Sequence, residues 1–124
     1  MKGPLVRAEI TDGEGTLVCV LLADNAAAGA LGAALSKIPP GAVQDIVRRA
    51  QPLDDDLLAN YHEVVNVLTV LTTMTLARRT ILRGVKQGGQ TLLTEDFVVR
   101  APHKAYFQVA VQAYPAGAIA FFHV

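Results

Sequence analysis

Asp54-Asp55-Asp56-Leu57-Leu58-Ala59-Asn60-Tyr61-His62-Glu63-Val64-Val65-Asn66-Val67-Leu68-Thr69-Val70-Leu71-Thr72-Thr73-Met74-Thr75-Leu76-Ala77-Arg78-Arg79 is the stretch on which the fold turns. Three aspartates open it, where acidic side chains cap free N–H groups and oppose the helix dipole. Two arginines close it. Between them the spacing predicts one long helix over about residues 55–78. Leu57, Leu58, Tyr61, Val64, Val65, Leu68, Leu71 and Leu76 make an apolar surface too broad for a lightly seated helix, so much of its circumference must be covered. At about 100° per residue, Asp56, Glu63, Asn66, Thr73, His62 and Thr69 fall in one polar arc. Ala59 lies in the same arc.

Strands are expected on both sides of this helix. Upstream, Leu5–Ile10 alternates, Thr11-Asp12-Gly13-Glu14-Gly15 carries turn chemistry, and Thr16–Leu22 is apolar throughout. Residues 5–23 therefore read as a hairpin whose second strand is central and covered on both faces. Asp24-Asn25 supplies an N-cap for an alanine-rich helix over 26–38, with Gly29 and Gly32 allowing close packing. Pro39-Pro40-Gly41 stops it, and a shorter helix over 42–50 places Val43, Ile46 and Val47 on one face. Downstream, Thr80–Lys86 reads as a strand and Gln87-Gly88-Gly89-Gln90 as a turn. Residues 91–100 fit either a short edge strand or a helical turn. Ala105–Tyr114 and Gly117–Val124 read as a closing hairpin, with Tyr106, Gln108, Ala110 and Gln112 opposite Phe107, Val109, Val111 and Ala113. The order β-β-α-α-α-β-(β)-β-β predicts an α+β fold over a single domain, 1–124. It has an antiparallel-rich sheet with a long helix and one or two further helices packed on it.

Composition narrows the function classes. Eleven basic residues balance eleven acidic ones, so no global field draws the chain to nucleic acid or an anionic membrane. Trp is absent and aromatics are few, which argues against a base-stacking platform. Cys19 is the one cysteine, read as an inert core thiol within an apolar strand. His62, His103 and His123 lack metal-ligand spacing, and Ser36 stands without an acid–histidine pair, so neither a metal site nor a serine hydrolase is expected. No segment reaches the roughly 20 apolar residues of a membrane helix, and the N-terminus has no secretory pattern. The expected location is cytoplasmic. Arg78, Arg79, Arg83 and Lys86 form the one basic cluster, a solvated helix end or a contact for a phosphate or acidic partner.

Within the polar arc, Glu63 and Asn66 stand three residues apart, so their side chains can converge on one small target. A carboxylate can grip a cation or a partner's lysine. A carboxamide both donates and accepts, which suits it to orienting a water. Spacing alone equally fits the wet face of an ordinary amphipathic helix.

Asn60-Tyr61-His62-Glu63-Val64-Val65-Asn66-Val67 resembles the E-x-x-N helix of the CheC/CheX/FliY chemotaxis phosphatases. Gly15–Leu22 with the following alanine-rich helix, and the closing hairpin, are similar in order and length to that family's elements. The resemblance implies a CheX-like fold and hydrolysis of the aspartyl phosphate of a CheY-like response regulator. Glu63 would contact a lysine of the regulator and Asn66 would position the attacking water. It implies no cofactor of the chain's own, since magnesium belongs to the regulator. This chain departs from the family in having Ala59 where Ser or Asp is usual, Gly88 where a proline is usual, no initial helix and a single E-x-x-N. A catalytically silent binding or homodimerisation module of the same fold, paired through strands or the wet face of the last hairpin, is the alternative.

Overall fold

The computed structural model describes all 124 residues. A hairpin of β1 (Leu5–Asp12) and β2 (Leu17–Asp24) leads into α1 (Asn25–Leu35), α2 (Pro40–Arg48) and the long α3 (Asp55–Leu76). Then come β3 (Thr80–Gly88), a 3-10 segment (Gln90–Thr94), the short α4 (Asp96–Arg100), β4 (His103–Val109) and β5 (Gly117–His123). The five strands form one antiparallel sheet in the order β3-β1-β2-β5-β4. The expected α+β architecture is therefore what the chain adopts.

The all-apolar β2 lies in the middle of this sheet, and its neighbours explain its composition. On one face, Leu21 and Ala23 join Val6 and Ala8 under α1 and α3, with Ala27, Ala33, Leu57, Tyr61 and Val65 completing the main core. On the other, Val20 and Leu22 meet Val98, Ala101, Ala120 and Phe122. The ambiguous 91–100 segment is thus the second cover: a 3-10 turn and one short helix. Arg7 anchors it. Its Nε donates to Glu95 at 2.9 Å and its Nη1 to Glu9 at 2.8 Å, from a largely buried position. Burial pulls the guanidinium pKa down, but the hydrogen bonds and charges of Glu95 and Glu9 outweigh that and raise it.

Gly32 brings α1 against α3. A Cβ there would stand 2.7 Å from the carbonyl oxygen of Leu57, so only glycine permits this crossing. Asn60 of α3 then donates to the Gly32 carbonyl at 3.0 Å and to Ser36 Oγ at 2.9 Å. Asp54 caps α3 by accepting from Leu57 N–H at 2.9 Å, as the aspartate run predicts.

Several boundaries differ from the sequence reading. Pro40 does not merely stop α1; it is the first residue of α2, where its missing N–H costs nothing. The closing hairpin is shorter than expected. β4 ends at Val109, because the Tyr114 N–H turns back to the Val111 carbonyl and the Tyr114 hydroxyl donates to the Ile38 carbonyl, pinning 110–116 beside the α1–α2 junction. Ala77 ends α3 in the left-handed region at φ 52°. An alanine there carries a cost of about 1 kcal/mol that glycine avoids. Ala77→Gly is expected to raise stability by about 0.5–1 kcal/mol, read as a higher urea midpoint with an unchanged slope.

Candidate functional site

Thr69 and Thr73 do not belong to the wet stripe in which the helical wheel placed them. Thr69 and Thr72 are buried, and Thr73 is half-buried. Thr69 Oγ1 donates to the Val65 carbonyl at 3.0 Å, and Thr72 Oγ1 to the Thr69 carbonyl at 2.8 Å. The Thr73 and Thr80 hydroxyls lie 2.7 Å apart, and Thr80 Oγ1 reaches the Thr69 carbonyl at 3.2 Å. A hydroxyl that bonds back to its own helix can be buried at little cost. These threonines seat the C-terminal half of α3 on the first residue of β3.

With them removed, the solvent face of α3 is narrower and more mixed. Asp56, Ala59, Glu63 and Asn66 are exposed, and so are Val67, Val70, Leu71 and Met74. Glu63 and Asn66 lie one turn apart on that face. Neither enters a hydrogen bond or ion pair within the chain, whereas Asn60, Thr69, Thr72 and Thr73 on the other faces all do. Glu63 and Asn66 are thus carried on a rigid helix with their polar atoms free. His62 is half-buried beside them.

C-terminal to this polar couple the exposed face turns apolar. Val67 is 71% and Met74 72% exposed, values that set them apart from core residues displaced to the surface. Sequence periodicity did not single them out. The signal for them was available: apolar residues at 67, 70 and 74 sit at helical spacing on the polar side of the wheel. Val67, Val70 and Met74 make this part of the exposed face apolar.

The remaining candidates are scattered. Arg78 Nη1 lies 3.8 Å from Asp12, and the exposed Arg83 and Lys86 follow on β3. His103 and His123 stack across β4 and β5 with ring centroids 5.0 Å apart. No group of three or more His, Cys, Asp or Glu side chains is placed to hold a metal ion. Burial pushes the Cys19 thiol up to about 12, so it is protonated and unreactive at neutral pH. Ser36 accepts from Asn60 and has no basic partner. No helix is long and apolar enough to cross a membrane.

An open apolar groove of about 560 Å³ lies on the other flank of α3. Val64, Leu68 and Leu71 form its wall, and Phe107, Ile119 and Phe121 its floor. It exists because α1 has 11 residues against the 22 of α3, so α1 leaves part of the β5–β4 surface uncovered. Comparison with protein-family models, curated proteins and solved structures finds no match to this chain.

Proposed function

We propose that the outer face of α3 docks a phosphorylated response regulator and that Glu63 and Asn66 act on its aspartyl phosphate. The observation that carries this reading is the exposure of both side chains, one turn apart on one helix and without partners in the chain. Val67, Val70 and Met74 supply the adjoining apolar contact such a complex needs. Glu63, as a carboxylate, pairs with a lysine of the partner. Asn66 accepts from a water and donates to a phosphoryl oxygen, holding the water in line with phosphorus. Hydrolysis then proceeds by positioning and charge, with the partner's own magnesium neutralising the phosphoryl group. The likeness of Asn60–Val67 to the E-x-x-N helix of CheC/CheX/FliY phosphatases supports the assignment of roles.

Ala59 favours a second reading. It is exposed one turn before Glu63 and brings no polar atom to the face. A silent relative would bind through the same surface without hydrolysis. Docking is tested by titrating the isotopically labelled chain with receiver domains held in their active form by beryllofluoride. Resonances of residues 59–74 on the exposed face are expected to shift, and Met74→Lys to weaken binding about tenfold or more. Shifts confined to other surfaces would remove the docking assignment. Shifts on this face, together with an unchanged rate of acylphosphate loss from the same receiver when it is phosphorylated, would select the silent reading.

A further inference from the structure

We propose that His103 and His123 form a two-histidine site for zinc or a neighbouring late transition metal ion, on the face of the sheet that carries the apolar groove. The proposal does not rest on the reading of Glu63 and Asn66.

The pairing of β4 with β5 makes the site. His103 stands directly opposite His123 in the antiparallel ladder. Residues so placed rise from the same face with their Cβ atoms about 4.5–5.5 Å apart. The two rings lie 5.0 Å apart, centre to centre. Two imidazoles bound side by side to one cation, through bonds of about 2.0–2.1 Å, hold their ring centres at roughly this separation. The present angle of 19° between the rings is that of a stack. Coordination needs the cation in the plane of each ring, so one ring must turn. Rotation about χ2 of a histidine is soft, and it leaves the ring centre almost in place because the Cβ–Cγ bond points at it. His103 is exposed and has no hydrogen-bond partner in the chain, so it is the ring that turns.

His123 is already oriented. Its Nδ1 lies 2.8 Å from the main-chain oxygen of Val124, which can only accept. Nδ1 therefore carries the proton, and the lone pair is left on Nε2. One ring nitrogen bonded to a main-chain oxygen and the other open is the arrangement of metal-ligating histidines.

The surroundings admit a cation. Lys104, the next residue on β4, is turned to the opposite face, where its Nζ donates to the Val99 carbonyl at 3.3 Å and lies over the Phe122 ring. Cys19 faces His123 across the β2–β5 ladder, but it is buried, and no third His, Cys, Asp or Glu is placed to join the pair. Nitrogen ligands alone select zinc, nickel or copper over magnesium and calcium. Two protein ligands leave two positions open on a tetrahedral ion. His123 also lines the groove, so a water, or a donor atom of a small molecule seated there, completes the shell. Half the ligand set of a structural zinc site gives an affinity on the order of 10–100 μM.

Isothermal titration calorimetry of the untagged full chain with zinc chloride tests this. Wild type is expected to bind one equivalent in that range. His103→Asn and His123→Asn are each expected to bind at least about tenfold more weakly, and His62→Asn and Cys19→Ala to bind as wild type does. Zinc should also raise the urea midpoint of wild type and leave that of His103→Asn where it is, because a ligand held only by the folded chain shifts unfolding by mass action. Circular dichroism of each variant checks that the fold persists. No binding at millimolar zinc, unchanged binding by His103→Asn or His123→Asn, or a loss that follows His62 or Cys19 instead would each overturn the proposal.

Discussion

Gly117→Ala is expected to lower the unfolding free energy by about 3 kcal/mol and to move the thermal midpoint down by roughly 10 °C. Gly117 is the first residue of β5, and the end of β2 and the start of α1 press directly on it. A Cβ at that position would stand 2.3 Å from both the Ala27 nitrogen and Asp24 Oδ1, and 2.9 Å from the Ala26 carbonyl carbon. Two of those three atoms are backbone, so no rotamer change relieves the clash. The third belongs to the carboxylate that ties the region together. Asp24 accepts from Ala27 N–H at 2.9 Å as the N-cap of α1, and from Ala118 N–H at 3.1 Å at the head of β5. Pushing it aside removes a cap while the overpacked backbone strains. These two effects add, and together they take a large share of a typical domain's stability. Thermal and urea unfolding followed by circular dichroism give the answer. A variant within a degree or two of wild type would mean that β5 and α1 do not meet this closely.

Asn66→Ala is expected to reduce dephosphorylation of a partner receiver by a factor of about 100 or more, the usual effect of losing one oriented hydrogen-bonding group at the reacting centre. Stability should stay within about 0.5 kcal/mol of wild type, because the side chain is exposed and bonds to nothing in the chain. Glu63→Ala should act differently. A carboxylate that grips a partner's lysine contributes to docking, so its loss raises the KM for the phosphorylated receiver more than it lowers kcat. The split between the two variants separates positioning from docking. Equal effects of both on KM alone would leave Asn66 as a contact residue and nothing more.

How far the fold was legible depended on whether each element carried a long enough pattern. The β1–β2 hairpin, the central place of β2 and the length of α3 followed from runs of six residues or more. The 90–100 cover did not, since a five-residue 3-10 turn and a five-residue helix are too short to show a period. Helix ends were also obscured. Lys37, Ala50 and Ala77 take positive φ where glycine is the usual signal. Arg7 gave no warning that it would be buried, because its partner Glu95 lies 88 residues away.

The site was legible in the same uneven way. Helical periodicity put Glu63 and Asn66 on one face, and they are exposed there together. It also put Thr69 on that face, and failed because a threonine whose hydroxyl bonds back to the helix behaves as a core residue. Val67, Val70 and Met74 sit on the polar side of the wheel, and the fold leaves them exposed there.

The lifetime of the aspartyl phosphate on receiver domains is the most direct measure of whether the outer face of α3 works as proposed. Receivers from the same cell are phosphorylated, freed of phosphodonor, and followed with and without this chain. At least one acylphosphate is expected to disappear many times faster in its presence, in the presence of magnesium, with the acceleration lost in Asn66→Ala. Decay at the spontaneous rate for every receiver, or acceleration that survives Asn66→Ala, would contradict the assignment.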